Sequence, residues 1–152
     1  MTPLQAILKE LQEDVKTLDK LEHNLRESES RCEGIDLAQL KNEDSIEIEA
    51  LTSRFERAQD IFVRKILRLI DIASGEEGTI IDVLNRSEKR GIIESAFDFR
   101  EMRALRNKIA HEYAGYGPSD IARDVMKYVP VLLHAFAKAR EFAKRPEFQP
   151  AS

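Results

Sequence analysis

The sequence predicts an all-α protein, an up-and-down bundle of about five helices. Apolar residues recur at spacings of three and four over most of the 152 residues, which is the period of a helix with one buried face. The six glycines and five prolines are few, and most of them lie between the periodic segments. Only Thr79-Ile80-Ile81 is a β-branched run. We therefore expect a single helical domain over residues 1–145, with its core at about 45–145, and a flexible tail at 146–152.

The first helix is predicted near the N-terminus from a stripe of apolar side chains. These are spaced by three, four and seven residues: Leu4, Leu8, Leu11, Val15, Leu18 and Leu25. Residues 28–34 are polar and include Gly34, so they are expected to end this helix.

The second helix is predicted to run over residues 44–74, a segment without glycine or proline. Its apolar residues follow steps of three and four throughout: Leu51, Phe55, Ala58, Phe62, Ile66, Leu69 and Ala73. A helix of about seven or eight turns is long for a globular protein. Such helices usually pack along a partner, within a bundle or across a dimer.

Two further helices are marked by their N-terminal capping residues. Thr79 is followed three positions later by Asp82, and Gly91 stands where a glycine commonly ends a helix. Ser95 precedes Asp98 by the same three positions and predicts the start of the next helix.

The helix that starts at Ser95 is expected to continue to about Tyr113, because Gly115 and Gly117-Pro118 follow. Ser119 is then predicted to cap the last helix, in which Pro130 should produce a kink. The apolar stripe of this helix contains Ile121, Val125, Val129, Leu132, Phe136 and Ala139.

The charge distribution limits the classes of partner. The formal charge is −4, from 24 basic and 28 acidic residues, which excludes a protein that coats nucleic acid through bulk positive charge. Residues 1–60 hold 15 acidic and 8 basic residues, whereas residues 61–152 hold 13 and 16. A local basic site in the second part is therefore compatible with the acidic total.

Other site classes are excluded by composition. One cysteine, Cys32, cannot form a disulfide framework or a cysteine-rich zinc site. The spacing of histidines and carboxylates predicts no metal site, and no cofactor is expected. No apolar run approaches ~18 residues and the N-terminus resembles no signal peptide, so we expect a cytoplasmic protein without a membrane partner.

One of the three histidines, His111, has an arginine and a tyrosine close to it in the sequence. His23 lies on a charged helix and His134 on an apolar one, and both are expected to be structural or solvated. In contrast, Arg106 precedes His111 by five positions, and Tyr113 follows two positions later. Histidine can move protons near neutral pH, and arginine is the forked donor suited to phosphate oxygens.

The residues Arg106, Asn107, His111 and Tyr113 resemble the R-x4-H-x-Y signature of the HEPN superfamily. They are most similar to the HepT toxins, which pair with minimal nucleotidyltransferase (MNT) antitoxins. The polar Asn107 after the arginine also fits that family. The helical pattern agrees over about residues 45–145, whereas the specific motif covers only residues 106–113.

The resemblance implies a metal-independent endoribonuclease that cuts RNA by attack of a 2′-hydroxyl and leaves a cyclic phosphate. Arg106 and His111 would be the catalytic pair, and Asn107 would orient His111.

Helical spacing places Tyr113 on the side of Met102 and Ile109, where it could be partly core. The resemblance implies that Tyr113 would help to hold RNA and would be adenylylated by the nucleotidyltransferase antitoxin. Arg103 and Lys108 are weaker candidates for RNA contacts. The family forms dimers, so a homodimer is expected.

The spacing of the motif raises a geometric question. Five residues along an α-helix separate two positions by about 140° around its axis. Arg106 and His111 could converge if the helix bends or ends near His111, or if two protomers place their motifs across one cleft. The dimers of the family favour a site at the interface, built from both chains.

Two other functions are compatible with the motif. The chain could be a non-catalytic helical subunit that binds substrate for a nucleotidyltransferase, or a structural helical dimer with Arg106 in a salt bridge. The presence of both Arg106 and His111 favours the ribonuclease, because a binding module does not need the pair.

Overall fold

The protein folds as a bundle of five helical rods in a computed structural model, which describes residues 1–111 and 115–151, and only the backbone of His111. The elements are α1 (Pro3–Cys32), α2 (Asn42–Ile61), a π-helical segment (Phe62–Leu67), α3 (Arg68–Ala73), α4 (Ile80–Lys89), α5 (Ala96–His111), α6 (Pro118–Ala143) and a 3-10 turn (Pro146–Phe148). Because α2, the π-helical segment and α3 follow one another without a break, they form one long rod. No strand occurs within these ranges, so the all-α prediction is confirmed.

Helix α1 forms one wall of the bundle. The Thr2 hydroxyl accepts the Gln5 N–H at 3.1 Å and so caps a 30-residue helix. Its buried residues Leu8, Leu11, Leu18 and Leu25 belong to the predicted stripe, whereas the predicted Val15 is partly buried and Leu4 is exposed. This stripe packs against α2, α3 and α6.

The π-helical segment lies at the centre of the core. Phe62 is fully buried, with its ring centroid 6.0 Å from Phe99 of α5 and 5.2 Å from Phe136 of α6. Val63, Ile66 and Leu67 are buried as well. The length of the rod matches the predicted helix, but the π-helical turn was not predicted. Four of its six residues thus face the core.

The predicted caps of α4 and α5 are confirmed. The Thr79 hydroxyl accepts the Asp82 N–H at 3.3 Å, and an Asp82 carboxylate oxygen accepts the Thr79 N–H at 2.9 Å. The Ser95 hydroxyl accepts the Asp98 N–H at 3.1 Å. Gly91 has a φ of 76°, the left-handed conformation expected after a helix.

The start of α6 differs from the prediction that Ser119 caps it. Pro118 is the first helical residue and Gly117 is the cap, with its N–H donated to Asp120 at 2.9 Å. Proline favours the first helical position because its ring fixes φ and it has no N–H to satisfy. The Ser119 hydroxyl instead donates to the carbonyl of Leu37 at 2.6 Å and ties α6 to the α1–α2 connection.

The C-terminal segment also differs from the expected flexible tail at 146–152. Phe148 is only 5% exposed, and its ring centroid lies 5.1 Å from that of Phe142. The side chain of Gln12 donates to the carbonyls of Phe148 and Ala143 at 2.8 and 2.9 Å. An aromatic side chain with a place in the core and satisfied carbonyls therefore docks the first residues of this segment on α1 and α6.

A buried carboxylate links α3 to α4. Asp71 is 1% exposed, and Arg86 donates to both of its oxygens from Nε and to one from Nη2, at 2.6–3.1 Å. Arg90 forms a second ion pair with the same carboxylate. The charge of Asp71 is thereby compensated inside the protein.

Candidate functional site

Helix α5 carries the motif. Its buried face consists of Phe99, Met102 and Leu105, which hold the helix against the core. Arg106 follows Phe99 by seven positions and so lies at the edge of this face, and Arg106 and Asn107 are both exposed. The arginine of the motif is therefore at the surface, beside the buried stripe.

Arg106 faces α2 across the groove between the two helices. Burial raises the pKa of Glu56 on α2, and the positive charge of Arg106 acts in the opposite direction. Glu56 is therefore close enough to Arg106 for the two charges to interact. An exposed arginine beside a groove can reach the oxygens of a phosphate.

Arg103, one turn earlier, is held by the protein. Its Nη1 lies 3.4 Å from Oε1 of Gln59 and 3.6 Å from a carboxylate oxygen of Asp60. Arg64 binds the same carboxylate at 2.9 Å. Burial, followed by the charge of Arg64, lowers the pKa of Arg103. These contacts make Arg103 a brace between α5 and α2, and its predicted contact with RNA stays a prediction.

Lys108 points to the start of α6. Its Nζ lies 5.6 Å from the ring centroid of Tyr116, a distance at which a cation is attracted to the ring. The Tyr116 hydroxyl donates to Asp124 at 2.8 Å, and burial together with this bond raises the pKa of the phenol. Lys108 is half-buried. Its predicted contact with RNA also stays a prediction.

The other two members of the motif are His111 and Tyr113, at the end of α5 and just beyond it. His111 is the last residue of α5, but its side chain and the whole of Tyr113 are outside the described residues. The backbone is helical from 106 to 111, so Arg106 and His111 occupy positions about 140° apart around the helix axis. The meeting of Arg106 with His111 therefore stays a prediction.

A cleft of about 540 Å³ opens beside the motif, between α2 and the start of α6. Glu49, Thr52, Glu56, Ile109 and Tyr116 are among its lining residues. The Thr52 hydroxyl oxygen is buried and makes no hydrogen bond within the described part of the chain. The cleft thus combines apolar surface with carboxylate and hydroxyl groups on the side of α5 that faces Glu56.

Within residues 1–111 and 115–151, no group of three or more histidine, cysteine and carboxylate side chains is arranged to hold a metal ion. Over the same ranges, no helix combines the length and the apolar character that crossing a bilayer requires.

Sequence reasoning missed the residues of α2 and of the π-helical segment that face α5. Glu56, Gln59, Asp60 and Arg64 have no local motif, and Gln59 lies 44 positions before the arginine that it contacts. Only the packing of the two helices brings them together, and no pattern in one sequence indicates that packing.

Comparisons with known proteins complete the description of the site. A family model described as ribonuclease HepT-like matches residues 21–139. No curated protein and no solved structure gives a significant match. The matched range includes α2 to α5, Arg106 and the motif that follows it, and covers more than three quarters of the chain. The chain therefore belongs to the ribonuclease HepT-like family.

Proposed function

We propose that the protein is a metal-independent endoribonuclease, the toxin of a toxin–antitoxin pair. The observation that carries the proposal is the exposed Arg106, placed on α5 five residues before His111 in a chain of the ribonuclease HepT-like family. Membership of that family supports ribonuclease activity in general. The residue roles, the dimer and the antitoxin are the parts that we propose.

The proposed reaction balances without a metal. The ribose 2′-oxygen attacks the neighbouring phosphorus, and the bond from phosphorus to the 5′-oxygen breaks. A base removes the 2′-hydroxyl proton and an acid protonates the leaving 5′-oxygen, so the products carry a 2′,3′-cyclic phosphate and a 5′-hydroxyl. His111 takes part in these proton transfers, oriented by Asn107. Arg106 stabilises the negative charge that develops on the phosphate oxygens.

The site is proposed to lie at the interface of a homodimer. Positions 106 and 111 point about 140° apart around α5, so one straight helix does not present both residues to one phosphate. A two-fold axis would bring Arg106 of one protomer close to His111 of the other. It would also double the positive charge that faces the RNA.

An MNT-type nucleotidyltransferase is the proposed antitoxin, and it adenylylates Tyr113. The added phosphate is negative and would lie two residues from His111. It would repel the backbone of an incoming RNA and so switch the enzyme off.

Expression in bacterial cells tests the proposal. We expect the wild-type chain to stop growth and to degrade RNA, whereas His111→Ala should be harmless because loss of a proton-transfer group slows cleavage by about 10²–10⁴-fold. His134→Ala is the matched control. His134 lies on α6, is half-exposed, and has its Nε2 3.3 Å from a carboxylate oxygen of Glu94. This variant should remain as toxic as the wild type.

Co-expression with a nucleotidyltransferase extends the same experiment to the antitoxin. Restored growth should coincide with the mass of an adenylyl group on Tyr113. Equal growth of the wild type and His111→Ala would refute the ribonuclease and favour a non-catalytic binding subunit. Restored growth with an unmodified Tyr113 would refute the adenylylation.

A further inference from the structure

A second cleft, distinct from the cleft beside α5, lies between α1 and α2. It has a volume of about 620 Å³. Four of its lining residues are cations, namely Lys20 of α1, Arg54 and Arg57 of α2, and Lys65 of the π-helical segment. Asp14 is the one carboxylate among the lining residues. This surface, called the basic cleft below, therefore keeps a positive charge inside the acidic N-terminal part of the chain.

Three of the four cations are available to a ligand. Arg54 is used by the protein, because its Nη1 donates to the Asn24 carbonyl at 3.0 Å and to the Ser28 hydroxyl at 2.8 Å. Lys20, Arg57 and Lys65 are exposed. In the part of the chain that the structure describes, none of the three belongs to an ion pair within 4.0 Å, whereas Arg64 beside Lys65 is paired with Asp60.

Three such cations along one groove suit a polyanion. A single small anion would need converging donors, but Arg57 and Lys65 are eight residues apart on one rod, about 12 Å along its axis. Lys20 lines the cleft from α1. Regularly spaced phosphates on a flexible strand match this arrangement, because each cation can meet a separate phosphate.

The basic cleft adjoins the motif across one helix. Ser53 of α2 lines both the basic cleft and the cleft beside α5. Arg57 follows Glu56 directly, and Glu56 is the residue whose pKa responds to Arg106. A strand that leaves Arg106 therefore needs to cross only the width of α2, about 10 Å, to reach Arg57.

We propose that the basic cleft binds the sugar–phosphate backbone of single-stranded RNA that flanks the cleaved phosphate, through Lys20, Arg57 and Lys65. The inference rests on the proposed ribonuclease function and extends its site to α1. It also gives a role to the N-terminal region, since Lys20 lies just before the range that the family model matches. Substrates longer than the few nucleotides at the motif would gain affinity from these contacts.

The test compares two triple variants with the same change in charge. The first variant removes three of the four positive charges that line the basic cleft, with the substitutions Lys20→Gln, Arg57→Gln and Lys65→Gln. Lys9→Gln, Lys89→Gln and Lys144→Gln together form the control, because these three lysines are exposed and do not line the cleft.

Binding is measured by fluorescence anisotropy over a series of salt concentrations, with an oligoribonucleotide protected from cleavage by 2′-O-methyl groups. Each lost phosphate contact lowers the slope of log Kd against log salt by about 0.7. The slope of the cleft variant should therefore be lower than that of the wild type by about 2. Its Kd should rise at least about tenfold at low salt. The control variant should keep the wild-type slope.

Several outcomes would overturn the inference. An unchanged slope in the cleft variant would do so, as would equal losses in both triple variants. Loss of binding to the nucleotidyltransferase with a wild-type slope for RNA would assign the cleft to an acidic protein instead. Should the triple variant fail to fold, Arg57→Gln and Lys65→Gln alone should each lower the slope by about 0.7.

The readout separates this inference from the proposed function. A wild-type protein that cuts RNA but shows no difference between the variants would refute only the basic cleft. A wild-type protein that cuts no RNA but shows the expected loss of slope would refute the ribonuclease and retain the RNA-binding cleft.

Discussion

At the scale of residues, the surroundings of each arginine decide whether its charge is available to a ligand. Arg86 and Arg90 neutralise a buried carboxylate, and Arg103 is bound to Gln59 and Asp60. Arg106 is exposed beside a half-buried Glu56. The guanidinium of Arg106 is thus available to a phosphate, whereas Arg103 fixes the helix that carries it.

Asp71→Asn tests the structural use of arginine. The amide keeps the shape of the side chain but removes the charge that compensates Arg86 and Arg90, so the free energy of unfolding should fall by about 3 kcal/mol. Denaturation in urea measures this change. Asp19→Asn is the control, because Asp19 is 81% exposed and its pair with Arg140 should contribute less than about 1 kcal/mol. Equal losses for the two variants would contradict the account.

Some of these residue roles could be predicted from the sequence and others could not. The spacing of Arg106 and His111 is local, so a motif reveals it. The contact of Arg103 with Gln59 joins residues 44 positions apart, and it exists only because α5 packs on α2. Charge counts likewise hide the basic cleft, since Lys20 and Lys65 come from separate helices.

At the scale of elements, local signals predicted where most helices begin and end. The Thr79–Asp82 and Ser95–Asp98 pairs marked α4 and α5, because capping hydrogen bonds involve neighbouring residues. The π-helical turn at Phe62–Leu67 gave no such signal. Its Phe62 packs between Phe99 of α5 and Phe136 of α6, contacts that only the assembled bundle provides.

The cap of α4 gives an expected dependence of stability on pH. Hydrogen bonds from the backbone N–H and the hydroxyl of Thr79 lower the pKa of Asp82 below its ordinary value of 3.8. Its contribution to stability is therefore complete above that value and is lost as the pH falls through the lowered pKa. The difference in urea midpoint between the wild type and Asp82→Asn should be constant from about pH 7 to 5 and shrink below about pH 4. A difference that stays constant into stronger acid would show that the charge of Asp82 does not stabilise the cap.

At the scale of the whole molecule, an acidic protein presents basic surfaces at chosen places. The total charge is −4, yet Arg106 on α5 and the cations of the basic cleft lie on either side of α2. The acidic surplus elsewhere would repel RNA from the rest of the surface and favour binding at these places.

Mixing two inactive variants tests whether the proposed site is shared between protomers. In a dimer of Arg106→Ala with His111→Ala, one interface site loses both residues and the other keeps both. Random exchange of subunits should therefore restore about a quarter of the wild-type cleavage activity. A site formed within one chain would remain inactive in every combination.

The measurement that tests the central claim most directly is the cleavage of RNA by the purified protein in the presence of EDTA, with analysis of the product ends. We expect the wild type to cut and to leave 2′,3′-cyclic phosphate and 5′-hydroxyl ends. Arg106→Ala and His111→Ala should each cut at least about 10²-fold more slowly, and His134→Ala should cut normally. Loss of cleavage on chelation, or normal cleavage by His111→Ala, would contradict the account.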